Sequence, residues 1–172
     1  GTDSLDHWTE TDSTLTRIST AASAAIYYWK HGAYSCQIDT KAGSVQQTIT
    51  NWDDLKRLAG KTVTFTIQDW CDTADCLRIS IDAGVTETFS DYHDGDDVWT
   101  TNDAPLSVTA KIDDNPIEIA FRIHHDLEAA SETSRVDDAR VICAGTNPRL
   151  FIENLGLAQE KPVQVFIEPS NY

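Results

Sequence analysis

The chain has 172 residues, with 13 Lys and Arg against 28 Asp and Glu and a formal charge of −15. That length fits one domain with at most an appended arm, and no run approaches the ~18 uninterrupted apolar residues of a membrane span. The basic residues are scattered, with only Lys56 and Arg57 adjacent, which argues against nucleic acid and anionic membrane as partners, since phosphate binding needs clustered Lys and Arg.

In chain order, extended segments are expected at 14–19, 33–39 and 44–51. One short helix follows, where Asp53 and Asp54 give an acidic start, Leu55 and Leu58 an i,i+3 apolar pair and Gly60 a stop. The segment 62–68 alternates cleanly, with Val63, Phe65 and Ile67 on one face and Thr64, Thr66 and Gln68 on the other. In 77–82 the inward row is Leu77, Ile79 and Ile81, and 117–123 repeats the pattern with Ile117, Ile119, Phe121 and Ile123. Further strands are expected at 87–90, 106–112 and 135–143, and two short ones at 149–153 and 163–168. Turn clusters at 41–43, 94–97 and 113–116 separate them. Many half-buried strands and almost no helix predict an all-β antiparallel β-sandwich over 1–143. The stretch 144–172 reads as a linker and a C-terminal β-hairpin or arm, to cap the sandwich or to dock on a neighbouring domain or subunit, the second being favoured. The absence of Met, with Gly1, Thr2 and Asp3 opening the chain, predicts a processed protein or an excised piece.

Four cysteines fit an oxidising compartment without demanding one. Cys71 and Cys76 are expected to form a disulfide closing a short polar loop, a bridge of roughly 2 kcal/mol in the chain-entropy model. Their spacing is poor for zinc. Cys36 and Cys143 are expected as buried free thiols, with a pairing between them left open.

Several short motifs occur in a telling order. Leu5, Asp6, His7 and Trp8 come first, then Gly32 to Gln37, then Gly60 and Lys61 leading into Thr62, Val63, Thr64 and Phe65. Asp97, Val98, Trp99 and Thr100 precede the next strand, and Arg135, Val136, Asp137, Asp138, Ala139, Arg140 and Val141 close the set. Over about residues 5 to 143 the sequence resembles the jelly-roll carbohydrate-binding modules attached to xylanases and cellulases, members of the galactose-binding-domain-like sandwiches. Similar sandwiches occur in phage tail-fibre and virion surface proteins. The resemblance implies a structural calcium at Asp137 and Asp138, although the family's usual opening strand, which often supplies further ligands, is not matched. Calcium requires six to eight hard oxygens.

The chemistry points to binding instead of catalysis. No nucleophile elbow, zinc-protease helix, phosphate loop or dinucleotide motif is present in the sequence. His124 and His125 are neighbours on a strand and face opposite ways, with His125 continuing the inward row. A saccharide site needs aromatic platforms flanked by polar hydrogen bonders. The candidates are Trp70, on the polar face of its strand, Tyr27, Tyr28 and Trp29 in a loop-like stretch, and Tyr92 in a polar loop. Trp8, Trp52 and Trp99 are assigned to the core. The expectation is a non-catalytic extracellular module that binds glycan or polysaccharide. The alternative is a structural subunit of a virion or surface filament, with the arm docked on a neighbour.

Overall fold

The computed structural model describes residues 8–12, 14–18, 35–39, 42–95, 99–100, 104–126, 133–144 and 149–150. Tyr27, Tyr28, Trp29 and the expected strand 163–168 lie outside them. The described strands are β1 (Thr9–Thr11), β2 (Thr14–Ile18), β3 (Ser35–Asp39), β4 (Gly43–Ile49), β5 (Thr62–Cys71), β6 (Leu77–Asp82), β7 (Glu87–Phe89), β8 (Leu106–Lys111), β9 (Ile119–His125), β10 (Thr133–Ala144) and β11 (Arg149–Leu150), with helix α1 (Trp52–Leu58) between β4 and β5. They form two antiparallel sheets, β1-β4-β9-β6-β7 with five strands and β2-β3-β10-β5-β8 with six once β11 joins β10. This is the expected β-sandwich.

Alternation builds the core. Val63, Phe65 and Ile67 from β5 face Leu77, Ile79 and Ile81 from β6 and Ile119, Phe121 and Ile123 from β9, all essentially solvent-free. Phe65 and Phe121 meet across the two sheets edge-to-face at 5.5 Å. On α1, Leu55 and Leu58 are buried, and the Asn51 side chain caps the helix by accepting from the Asp53 and Asp54 amides.

The β10 strand shows how one extra residue rescues a pattern. Ser134 and Val136 face inward before the register shift between Asp137 and Arg140, and Ala139, Val141 and Cys143 face inward after it. Asp138, at φ 50, takes up the inserted residue, a conformation that Asp tolerates better than most side chains. The inward apolar row therefore changes from even to odd numbers and stays continuous.

Two expectations need correction, and one strand lies outside them. Trp52 is 60% exposed instead of packed in the core. It opens α1, whose buried stripe is Leu55 and Leu58, and its ring meets the Lys56 ammonium at 4.9 Å. The strand expected at 117–123 begins at Ile119, and Ile117 is 83% exposed. β1 carried no pattern to find, since all three of its residues are exposed. Trp99 is buried, and Trp8 packs partly against the core. Cys71 and Cys76 form a disulfide, while Cys36 and Cys143 are buried free thiols. Among the described residues no helix is long and apolar enough to cross a membrane.

Candidate functional site

The two outward sheet faces differ sharply. On the six-stranded sheet, register aligns Thr16, Gln37, Arg135 and Trp70 across β2, β3, β10 and β5, and pairs Asp137 with Gln68 in the next row. Trp70 is on the outward side, as its phase predicts, but it is not an exposed platform: only 5% of it is accessible. The Arg135 guanidinium lies over its ring at 4.3 Å, and Gln68, Arg135 and Asp137 around it are buried as well. With so little of it accessible, the Trp70 ring has no free face to offer a sugar. The expectation for Trp70 is therefore corrected: outward phase does not mean solvation when the neighbouring rows are themselves buried.

The five-stranded sheet presents an organised and accessible surface. Because Leu77, Ile79 and Ile81 point inward, Arg78, Ser80 and Asp82 point outward. The register then sets three rows: Ser44, His124 and Arg78; Gln46, Arg122, Ser80 and Phe89; Thr48, Ala120, Asp82 and Glu87. Past β7 the chain continues beside β6, with the Ser90 amide donating to the Ile79 carbonyl at 2.9 Å and the His93 amide to the Leu77 carbonyl at 2.9 Å. This brings Tyr92 alongside Arg78.

At the centre, the Arg78 guanidinium lies 4.3 Å from the Phe89 ring centroid and 4.7 Å from that of Tyr92. Its Nε is 2.7 Å from Asp126 Oδ2, and the Tyr92 hydroxyl donates to the same oxygen at 2.7 Å. Phe89 is 40% exposed and contacts the His124 ring at 5.3 Å. Beside this cluster Arg122 binds Glu87 at 2.8 Å and Asp82 at 3.0 Å, and its Nε donates to Gln46 Oε1 at 2.8 Å.

The protonation pattern follows from these contacts. The Asp126 hydrogen bond, with burial adding to it, raises the Tyr92 hydroxyl above 10.0. Burial would raise Glu87, but hydrogen bonds from Ser80 and Arg122, with the Arg122 charge, bring it below 4.5. Burial pushes His124 below 6.5, against the pull of Asp126 and Glu87. Both shifts reduce stability on acidification. An unfolded imidazole binds a proton that folded His124 resists, so stability falls as pH drops below about 6.5. Glu87 contributes above about 4.5 and loses that contribution as pH falls through its lower folded value. Urea denaturation at stepped pH is therefore expected to show His124→Gln flattening the first part of this decline and leaving the more acidic part; identical profiles would contradict the assignment.

Ser80, His124 and Glu87 also sit together, but not as a hydrolytic triad. The Ser80 hydroxyl donates to Glu87 Oε1 at 2.6 Å and lies 2.8 Å from His124 Nε2. The serine thus stands between acid and histidine, with its proton committed to the acid, and it is fully buried. On β10, Asp137 Oδ1 accepts the Asp138 amide at 2.8 Å, and the Asp138 carboxylate is ion-paired with Arg140. Among the described residues no group of three or more His, Cys, Asp or Glu gathers as metal donors.

Of the expected site residues, Tyr92 belongs to the exposed cluster and Trp70 lies on the other sheet, so the structure does not bring the two together. Phe89, Arg78 and Asp126 were not singled out by the sequence pattern. The available clue was Phe89 itself, an aromatic sharing its face of a short strand with charged Glu87.

No protein-family model and no curated protein matches the sequence. Solved structures do share the fold. A carbohydrate-binding module, TmCBM61 in complex with β-1,4-galactotriose, matches with TM-score 0.57 and 13% identity over 82% of this chain and 91% of that one. The CBM22-1–GH10 modules of Clostridium thermocellum xylanase 10B, complexed with xylohexaose, match at 0.55 and 12%, over 83% of this chain and 28% of that one. The enzymatically active domain of bacteriophage CBA120 tailspike protein 4 matches at 0.55 and 9%, over 81% of this chain; the chain spans 20% of that protein. At such identities these likenesses establish the fold: a jelly-roll sandwich of the kind used by carbohydrate-binding modules.

Proposed function

We propose that the chain is a non-catalytic, extracellular glycan-binding module whose contact surface is the outward face of the five-stranded sheet, centred on Phe89, Arg78 and Tyr92. The supporting observation is the half-open Phe89 ring set beside a guanidinium, a phenol and a carboxylate that already hold one another in place. A pyranose or xylose ring has an apolar C–H face that packs on an aromatic ring, and a rim of hydroxyls that needs planar, fixed hydrogen-bonding groups. Groups fixed in advance lose little freedom on binding. The sugars in the two module complexes support oligosaccharide as the ligand class. Tyr27, Tyr28 and Trp29 enter the proposal as a further contact set.

Affinity electrophoresis and calorimetry against β-1,4-galactan and xylan oligosaccharides test it. Saturable binding supports the reading, and silence across the panel at millimolar sugar contradicts it. The second reading, a virion or surface-filament subunit assembling through its arm, draws on Arg149 and Leu150, which already add a strand to β10 at Ile142 and Val141. Silence on sugars together with concentration-dependent self-assembly in light scattering favours that reading.

A structural calcium at Asp137 and Asp138 is a separable part of the proposal, and Arg140 competes for the second carboxylate. An ion that binds only the folded state raises Tm. A Tm several degrees higher in millimolar calcium than in chelator supports the ion, and equal values remove it from the account.

A further inference from the structure

We infer that the disulfide-closed loop from Cys71 to Cys76 is the positioning element of the Phe89–Arg78–Tyr92 surface, clamping both chain segments that deliver Tyr92 and Asp126 to Arg78. The inference rests on the proposed ligand face for its functional meaning, while its geometry stands independently.

Arg78 is held by β6, but its two oxygen-bearing partners come from elsewhere. Tyr92 lies in the segment after β7, and Asp126 is the first residue past β9. Backbone bonds to β6 hold the Tyr92 segment through His93 on Leu77, and β9 ends where His125 pairs with Leu77. Beyond those points each segment is tied to the disulfide loop as well. The Asp126 amide donates to the Cys76 carbonyl at 2.8 Å, and the Asp75 amide donates to the His93 carbonyl at 3.2 Å. Gly95, at φ 72, packs directly on the backbone of Thr73 and Ala74, leaving no room for a Cβ.

His93 fastens the Tyr92 segment from beneath. It turns inward, 4% exposed, while its neighbour Tyr92 turns outward. The Gly95 amide donates to His93 Nδ1 at 2.8 Å, which places the ring proton of the neutral form on Nε2, and Nε2 faces Asp69 Oδ2 at 4.0 Å. Asp69 is itself anchored by the Thr100 hydroxyl, which donates to Oδ1 at 2.8 Å. Asp69 lies two residues before Cys71 on β5, so the far side of the sandwich also contributes to the clamp.

A loop of this kind limits the freedom of groups that the ligand would otherwise have to order on binding. Opening it is expected to leave the sandwich intact and to loosen only the surface. The test pairs Cys71→Ser/Cys76→Ser with Gly95→Ala, which separates the loops and keeps the disulfide. Two readouts need no sugar. Amide exchange at Asp75, His93 and Asp126 is expected to quicken at least tenfold, with Val45 and Ile123 in the core unchanged. The ultraviolet titration step assigned to Tyr92, by difference from Tyr92→Phe, is expected to move down towards an ordinary phenol. Unchanged exchange at the three amides, with an unmoved Tyr92 step, overturns the inference. If the double serine variant does not fold, Gly95→Ala decides by the same readouts. Calorimetry with galactan and xylan oligosaccharides then separates the two claims: weak binding only in the loop variants supports both, and no binding in the unaltered protein removes the ligand face while leaving the clamp standing.

Discussion

Replacing Phe89 with Ala is expected to lower glycan affinity by about 30-fold or more, the effect of losing a binding hot spot of ~2 kcal/mol. Phe89 closes a three-residue edge strand, and its ring belongs to the outward row with Ser80, Arg122 and Gln46 instead of the core. Its removal should therefore change folding stability by only about 0.5 kcal/mol, and the loss of binding can be read as a loss of contact. Arg78→Lys sharpens the same point. Lysine keeps the charge but has no planar fork to lie over two rings while engaging Asp126. Intermediate affinity is expected for Arg78→Lys, and Tyr92→Phe should cost less than Phe89→Ala. Calorimetry on the three variants checks the order; wild-type affinity in Phe89→Ala contradicts it.

The largest effect on stability is expected from Phe121→Ala, at about 3–5 kcal/mol. The ring is wholly buried in β9 and meets Phe65 of the opposite sheet edge-to-face. The change deletes both the transferred surface and the contact that joins the two layers. Set against a typical domain stability of about 5–15 kcal/mol, such a loss would leave the fold marginal. Urea denaturation reads it directly, and a loss below about 1 kcal/mol would mean that the sheets do not close on this pair.

The fold was legible because its information is local. Alternation in β5, β6 and β9 places each apolar row, and turn residues mark the ends. The boundaries moved where neighbours, not propensity, decide: β5 runs on through Asp69, Trp70 and Cys71 because β10 pairs with it along that stretch. The resemblance to jelly-roll modules, carried by short motifs in order, agrees with the shared fold of the solved structures.

The site was less legible, since it depends on register between strands distant in sequence. Nothing near Phe89 announces Arg78, which meets its ring only through the pairing of β6 with β7, or Asp126, which reaches Arg78 only from the end of β9. Trp70 shows the converse. Its outward phase follows from the alternation of β5, but its burial under Arg135 comes from β10, more than sixty residues later in the chain. Tyr92 is legible as an aromatic in a polar loop, whereas its partners Arg78 and Asp126 come from β6 and the end of β9 and leave no mark near it in the sequence.

The most direct measurement is amide and aromatic chemical-shift mapping of the isotope-labelled protein during titration with a β-1,4-galactan or xylan oligosaccharide. Changes clustered at Arg78, Phe89, Tyr92, His124 and Asp126 are expected, with Gln37, Gln68, Trp70 and Arg135 quiet. Changes centred on the Trp70 and Arg135 side would place recognition on the opposite sheet and contradict the surface described above.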